Sequence, residues 1–168
     1  MSPEELAQEI ANDAARYTTG VTGSFFHFKD AQYDPWVPYA GSEQRYNGPG
    51  TGSIYLAQST EECFREVGTA EGKRAYRVDV SAVGPSRILD LVAWSGDNPQ
   101  FSGSILQPSA SGGWEPTREI ANFAYGAGFQ GIRFPSQHGN GGINLVLYTG
   151  VIAVTEPVFT EIPIGGTN

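Results

Sequence analysis

The sequence predicts an α+β domain with mixed, largely antiparallel sheets and a few flanking helices. Three observations carry that prediction. Seven short stretches show the alternation or the apolar run of a strand, among them "GSFFHFK", "SIYLA" and "KRAYRVDVS", and turn residues bound them. Three others, opening at residues 2, 59 and 115, have helical spacing with start and stop signals. Finally, 168 residues with 39% hydrophobic and 17% charged content fit one globular unit, and 22 Gly and 11 Pro make it rich in turns.

The first element is a helix over residues 2–17. Ser2 can cap it, Pro3 suits its first turn, Glu5 completes a capping box, and Leu6, Ile10 and Ala14 share a face. Residues 1–23 are therefore expected to form an N-terminal helical extension packed on the main domain. "GSFFHFK" follows as a strand, then residues 30–52 form a Pro- and aromatic-rich loop, longer than ordinary connections and so expected to be functional. "SIYLA" places Ile54 and Leu56 on one face and Tyr55 on the other. The next helix, "STEECFREVG", has Ser59 or Thr60 as cap, Glu61 and Glu62 in its first turn and Gly68 as its stop.

"KRAYRVDVS" and "SRILDLV" read as further strands. Residues 95–113, "SGDNPQFSGSILQPSASGG", are polar and full of Gly, Ser and Pro, which predicts a mobile flap. "EPTREIANFAYGAGF" is a helix with Ile120, Phe123, Ala124 and Ala127 at helical spacing, ended by Gly128. "QGIRFPS", "NLVLYTG" and "VIAVTEPVFTEI" complete the strands, with neither internal repeats nor heptads. Residues 24–163 are expected to be the main domain and 164–168 a tail.

Eighteen acidic against ten basic residues give a net charge of −8 and a pI near 4.6. Such a surface repels a nucleic-acid backbone, so DNA and RNA are not expected partners. An anionic small molecule remains compatible, provided the few basic residues gather in one cleft. The single cysteine, Cys63, excludes an internal disulfide, and two distant histidines make a metal site unexpected. Residues 1–17 have neither a basic n-region nor an apolar h-region, and no apolar run approaches the ~18 residues of a membrane span. A cytoplasmic protein off the membrane is expected; an effector exported without a signal peptide shares the pattern.

Five pieces in order along the chain carry a resemblance. They are Arg45-Tyr46-Asn47-Gly48-Pro49-Gly50, Ile54-Tyr55-Leu56-Ala57, Glu66 on the following helix, Gly131-Ile132-Arg133-Phe134-Pro135-Ser136, and Asn144-Leu145-Val146-Leu147. From about residue 25 to 160 this order resembles the RES-domain family, named for an Arg, a Glu and a Ser. The resemblance implies a RES-like catalytic domain over residues 24–163 with a fold similar to ADP-ribosyltransferases. It also implies a toxin-like enzyme that cleaves the nicotinamide–ribose bond of NAD⁺ with water or inorganic phosphate as acceptor. Arg45, Tyr55, Glu66 and Ser136 match the family's active-site positions, and His27, Tyr46 and Asn144 join them around the substrate. No cofactor is implied, since NAD⁺ is the substrate and phosphate at most a co-substrate. A cognate antitoxin or immunity protein is implied as partner, and a homodimer is one assembly open to the chain. The family usually has an arginine where this sequence has His27, a residue only partly charged near neutral pH and without a bidentate fork. Lys29, two residues on, is the nearest substitute.

The residue types also suit the chemistry taken by themselves. A pyrophosphate calls for a guanidinium, a flat cationic ring for an aromatic face, and a developing oxocarbenium for a carboxylate; Arg45, Tyr55 and Glu66 supply them. Each has a plainer reading. Arg45 could be a surface charge, Tyr55 a packed strand tyrosine, and Glu66 one of two carboxylates, with Glu62, on a solvated helix face. Ser136 has no nucleophile-elbow context and reads as a substrate hydrogen-bonder beside "QHGNGG", whose backbone N–H groups could cradle an anion. His138 reads as a loop histidine and Cys63 as core; Arg133 lines the cleft or meets solvent, and Trp36 and Trp94 are core or lid. Asn47, Gly48 and Gly50 shape the turn that aims Arg45, and Asn144 is placed to orient the Ser136 turn. Two other functions stay open: ADP-ribosyl transfer to a macromolecule, and a non-catalytic nucleotide-binding module.

Overall fold

The computed structural model describes residues 1–38, 45–47, 51–80, 87–108, 112–138, 141–149 and 157–164. Helix α1, Pro3–Asp13, begins with the expected reciprocal capping box between Ser2 and Glu5 and runs into a 3-10 turn, Ala14–Tyr17. The strands are β1 (Thr18–Thr19), β2 (Gly23–Asp30), β3 (Ser53–Ala57), β4 (Lys73–Val80), β5 (Ile88–Asp90), β6 (Gly131–Pro135), β7 (Ile143–Tyr148) and β8 (Val158–Ile162). Helices α2 (Thr60–Val67), α3 (Leu91–Asp97), α4 (Ser102–Leu106) and α5 (Glu115–Gly126) lie between them. One sheet runs in the order β1-β5-β6-β7-β3-β2-β4-β8, antiparallel throughout except for the parallel β5–β6 pair. The predicted α+β class with a largely antiparallel sheet is what the chain adopts.

Alternation in β7 divides the core. Val146 and Tyr148 face a cluster built with Ile10 of α1, Ile120 and Ala124 of α5, and Ile132 and Phe134 of β6. Leu145 and Leu147 face the opposite layer with Ile54, Leu56, Tyr76 and Val78. Each Val, Leu, Ile or Phe among them, removed from water, contributes about 1.5–3 kcal/mol before entropy is counted. Gly131 is required where β6 meets β7, because a Cβ there would lie 2.0 Å from the Val146 carbonyl oxygen. Helix α2 starts on Ser59, whose hydroxyl accepts from the Glu62 N–H, and stops at Gly68 with φ +83°.

Two expectations are corrected. The strand expected over 86–92 ends at Asp90, because the Asp90 carboxylate accepts the Ala93 N–H at 3.0 Å and turns the chain into α3. The flap expected over 95–113 is, as far as residue 106, largely helical and packed into the core. Two of its apolar residues find partners: Phe101 stacks at 5.5 Å on Trp94, which just precedes the stretch, and Ile105 is 0% exposed. Polar composition hid them, since two anchors and the preceding Trp94 are enough to hold a short helical segment. Residues 109–111 of that stretch, and 151–156 of the last predicted strand, lie outside the described residues.

β2 and β3 open the cleft. They are sheet neighbours in register at one position, Phe26↔Ala57, whereas β2 pairs with β4 from Gly23↔Val80 to Asp30↔Lys73. Backbone groups that part company there leave room between the two strands for side chains.

Candidate active site

A cavity of about 510 Å³ occupies this opening, within the range of small-molecule sites. His27 and Lys29 of β2, Tyr55 of β3, Glu66 of α2, Asn144 of β7 and Arg45 are among the residues lining it. Chain positions from 27 to 144 thus meet at one place.

Arg45 is buried. Its Nη1 donates to the Pro135 carbonyl at 3.1 Å and its Nη2 to the Ile105 carbonyl, while the rings of Trp114, Tyr46 and Phe134 lie 4.9, 5.1 and 5.2 Å from Cζ. Its Nε has no hydrogen-bond partner among the described residues. The guanidinium therefore ties α4 to the end of β6 and presents little of its fork to a ligand. Thr117 of α5 donates its hydroxyl to the Arg45 carbonyl and so fixes the backbone as well.

Tyr55 lends its ring to the cavity wall and its hydroxyl to the same segment. The hydroxyl accepts the Tyr46 N–H at 2.9 Å and donates to Asn47 Oδ1 at 2.7 Å. Burial raises its pKa far above the ordinary tyrosine value, so it stays a neutral phenol. Tyr46 is fully buried and packs on Phe134 at 4.4 Å instead of lining the cavity, because strand β7 pulls its backbone inward: Tyr148 donates its hydroxyl to the Tyr46 carbonyl at 2.9 Å. Gly48 and Gly50, expected to shape the Arg45 turn, and residues 139–140 of the expected anion cradle lie outside the described residues.

Glu66 projects from α2 with its side chain 27% exposed. The Asn144 amide donates to its Oε1 at 3.0 Å, the Ser136 hydroxyl lies 3.5 Å from the same oxygen, and His138 Nε2 is 3.9 Å away. Its pKa is raised, chiefly by burial, with Glu62 adding to the rise and His138 opposing it. Ser136 thus meets the site through Glu66, and Asn144 holds the carboxylates in place of the Ser136 turn. Glu62, expected on a solvated face, is 1% exposed: Asn144 lies 3.4 Å from its Oε1 and Arg65 reaches back to its Oε2 at 3.2 Å. These donors offset the cost of burying a carboxylate.

His27 resolves the question its position raised. Nδ1 sits 2.7 Å from the Tyr55 carbonyl oxygen, which can only accept, so Nδ1 carries the proton. Nε2 is buried with no hydrogen-bond partner among the described residues, and burial depresses the ring pKa from 6.5 to about 4. His27 is a neutral brace across the parted strands and supplies no charge for phosphate.

Sequence reasoning passed over Trp114, whose ring lies against Arg45 on the cavity wall; nothing but its place before the Pro116 helix start marked it. It read His138 as a loop histidine, whereas the ring stands 3.9 Å from Glu66 Oε1. Arg133 turns to Asp90 at 2.9 Å, away from the cleft. Cys63 is buried beside Phe28, Ala57 and Ala75, with its thiol pushed up to about 12. Trp94 is core, while Trp36 is half-buried against Phe159.

A family model described as RES domain matches residues 20–162. No curated protein matches the chain. Among solved structures it is similar to a chain of the M. tuberculosis MbcT-MbcA toxin-antitoxin complex, with 22% identity and a TM-score of 0.69 over 94% of this chain and 91% of that one. At that identity the likeness is one of fold. No helix among the described residues is long and apolar enough to cross a membrane.

Proposed function

Because the chain belongs to the RES domain family, we propose that it is an NAD⁺-degrading enzyme of the toxin type, cleaving the nicotinamide–ribose bond. The observation that carries this reading is a carboxylate, Glu66, held by Asn144 on the wall of a cavity that Tyr55 also lines. An oxocarbenium forming beside such a group is stabilised electrostatically, and an aromatic face suits the departing ring.

In the reaction, the C1′–N bond breaks and its electron pair leaves with nicotinamide, which becomes neutral. Positive charge grows on the ribose ring and is met by ionised Glu66. An oxygen of water or inorganic phosphate then bonds to C1′; with water, one proton passes to solvent and ADP-ribose is the product. Asn144 and Ser136 keep the carboxylate oriented, and Tyr55 acts through its ring, since both hydrogen-bonding capacities of its hydroxyl are used on Tyr46 and Asn47.

An enzyme that drains NAD⁺ in the cytoplasm must be restrained in its own cell, so a cognate antitoxin or immunity protein belongs to the proposal. The fold shared with a chain of a toxin–antitoxin complex supports that partner. The test is incubation of the protein with NAD⁺, with and without phosphate, following nicotinamide. Release that depends on Glu66 is expected; no release refutes the reading, and ADP-ribose label on protein would replace it with macromolecular transfer.

A further inference from the structure

The cleavage step calls on Glu66 and gives no task to Glu62, which stands one turn earlier on α2. Glu62 is nonetheless 1% exposed, while Glu61, in the same first turn, is exposed. A carboxylate that served only the N-terminus of the helix could do so from the surface. Glu62 turns inward instead, toward Asn144 of β7. The one amide nitrogen, Nδ2, lies 3.4 Å from Glu62 Oε1 and 3.0 Å from Glu66 Oε1, and it has two hydrogens, one for each carboxylate. At the other end of the amide, Oδ1 is buried with no hydrogen-bond partner among the described residues. The two contacts at Nδ2 therefore set which way the amide faces, and Glu62 supplies one of them. Arg65 in turn holds the second oxygen of Glu62 at 3.2 Å.

We propose that Glu62 is a positioning residue of the cleavage: by anchoring one N–H of Asn144 it aims the other at Glu66 and fixes where that carboxylate stands in the cleft. The proposal rests on the NAD⁺ reading and deepens it. Its second consequence is electrostatic. Through their common nitrogen the two Oε1 atoms are at most roughly 6 Å apart, close enough for each charge to strengthen the other's hold on a proton. Burial is the chief cause of the raised Glu66 pKa; Glu62 adds to it through its charge and a side-chain hydrogen bond, while His138 and Arg45 oppose it. Of the other titratable groups against α2, Arg65 pairs with Glu62, and the Cys63 thiol, His27 and Tyr55 are neutral. Lys29, Asp30 and Lys73 line the same cavity.

The rival role is a buried acid that only stabilises the start of α2 together with Arg65. Glu62→Gln and Glu62→Leu, made in the full chain and checked by thermal melts, separate the two. Gln keeps a side-chain oxygen for the Asn144 N–H and loses the charge; Leu loses both. In NAD⁺ cleavage at about pH 8, Leu should lower kcat at least ~5-fold with KM within about twofold, as the loss of one directed hydrogen bond predicts, and Gln should restore kcat to within about threefold of wild type. The Glu66 carboxyl is also followed by carboxyl-carbon NMR without substrate, its signal assigned by its loss in Glu66→Gln. It should titrate lower in Glu62→Gln by about 0.5–2 pH units, the interaction of unit charges roughly 6 Å apart at effective dielectrics of about 80 to about 20. The acid limb of the pH–rate profile should move with it. A fall of less than about 0.5 pH units overturns the proposal, as does a kcat in Glu62→Leu reduced less than ~5-fold or one that Gln does not restore. Should Leu fail to melt cooperatively, the Gln titration decides. Absence of nicotinamide release by the wild type refutes the reaction, while the NMR titration still judges Glu62.

Discussion

Acidification should destabilise this protein through His27 in a way that one substitution can isolate. In the folded chain the ring is neutral, with Nδ1 donating to Tyr55 and Nε2 buried; its pKa is about 4, against 6.5 when unfolded. Above 6.5 neither state binds the proton and the residue is silent. Between 6.5 and about 4 the unfolded chain takes up a proton that the native chain refuses, so stability falls as pH falls. The gap, at 1.36 kcal/mol per pH unit, amounts to roughly 3 kcal/mol by pH 4. Urea unfolding at pH 7.5 and pH 4 measures it, with His27→Asn as the reference because Asn offers an N–H near the Nδ1 position and cannot titrate. Wild type should lose about 3 kcal/mol more than the variant over that interval, a midpoint difference of about 1.5 M at an m-value near 2 kcal/mol/M. Equal losses in the two proteins, or a larger loss in the variant, would show that His27 is charged or solvated and would return it to the phosphate-binding candidates.

Glu66→Gln should lower NAD⁺ turnover about 100-fold: a carboxylate ~4 Å from the developing charge contributes ~4 kcal/mol at an effective dielectric near 20, of which only the part absent from the ground state counts. Its melting point should not fall, since the change also relieves repulsion with Glu62. Because Glu66 titrates above its ordinary 4.5, mainly through burial, and acts ionised, the acid limb of a pH–rate profile should lie above the normal carboxylate range. Tyr55→Phe removes the hydroxyl bonds to Tyr46 and Asn47 and should cost about 1–3 kcal/mol in a denaturation titration. Ile105→Ala should cost about 2–5 kcal/mol, where a flap residue would cost under ~0.5.

Much of the architecture was legible because its signals are local. The Ser2–Glu5 capping box, Ser59 before α2, Gly68 after it and the period-2 pattern of "SIYLA" each act over a few residues, and each appears where expected. The same holds for the order of the motif pieces, which brought Arg45, Tyr55, Glu66 and Asn144 to one cavity. Where the reading failed, the local signal was composition: Gly, Ser and Pro outweighed Trp94, Phe101 and Ile105, whose burial depends on layers contributed by α1 and α5.

The sequence by itself determined which residue types stand in which order, hence the fold class and the chemistry the cleft can hold. Only the tertiary structure decided their states. Arg45 is captured by carbonyls at positions 105 and 135, Glu62 is taken out of water by an amide at 144, and His27 is held neutral by a carbonyl at 55. Protonation, burial and donor supply are set by groups distant in the chain, and no pattern of near neighbours encodes them.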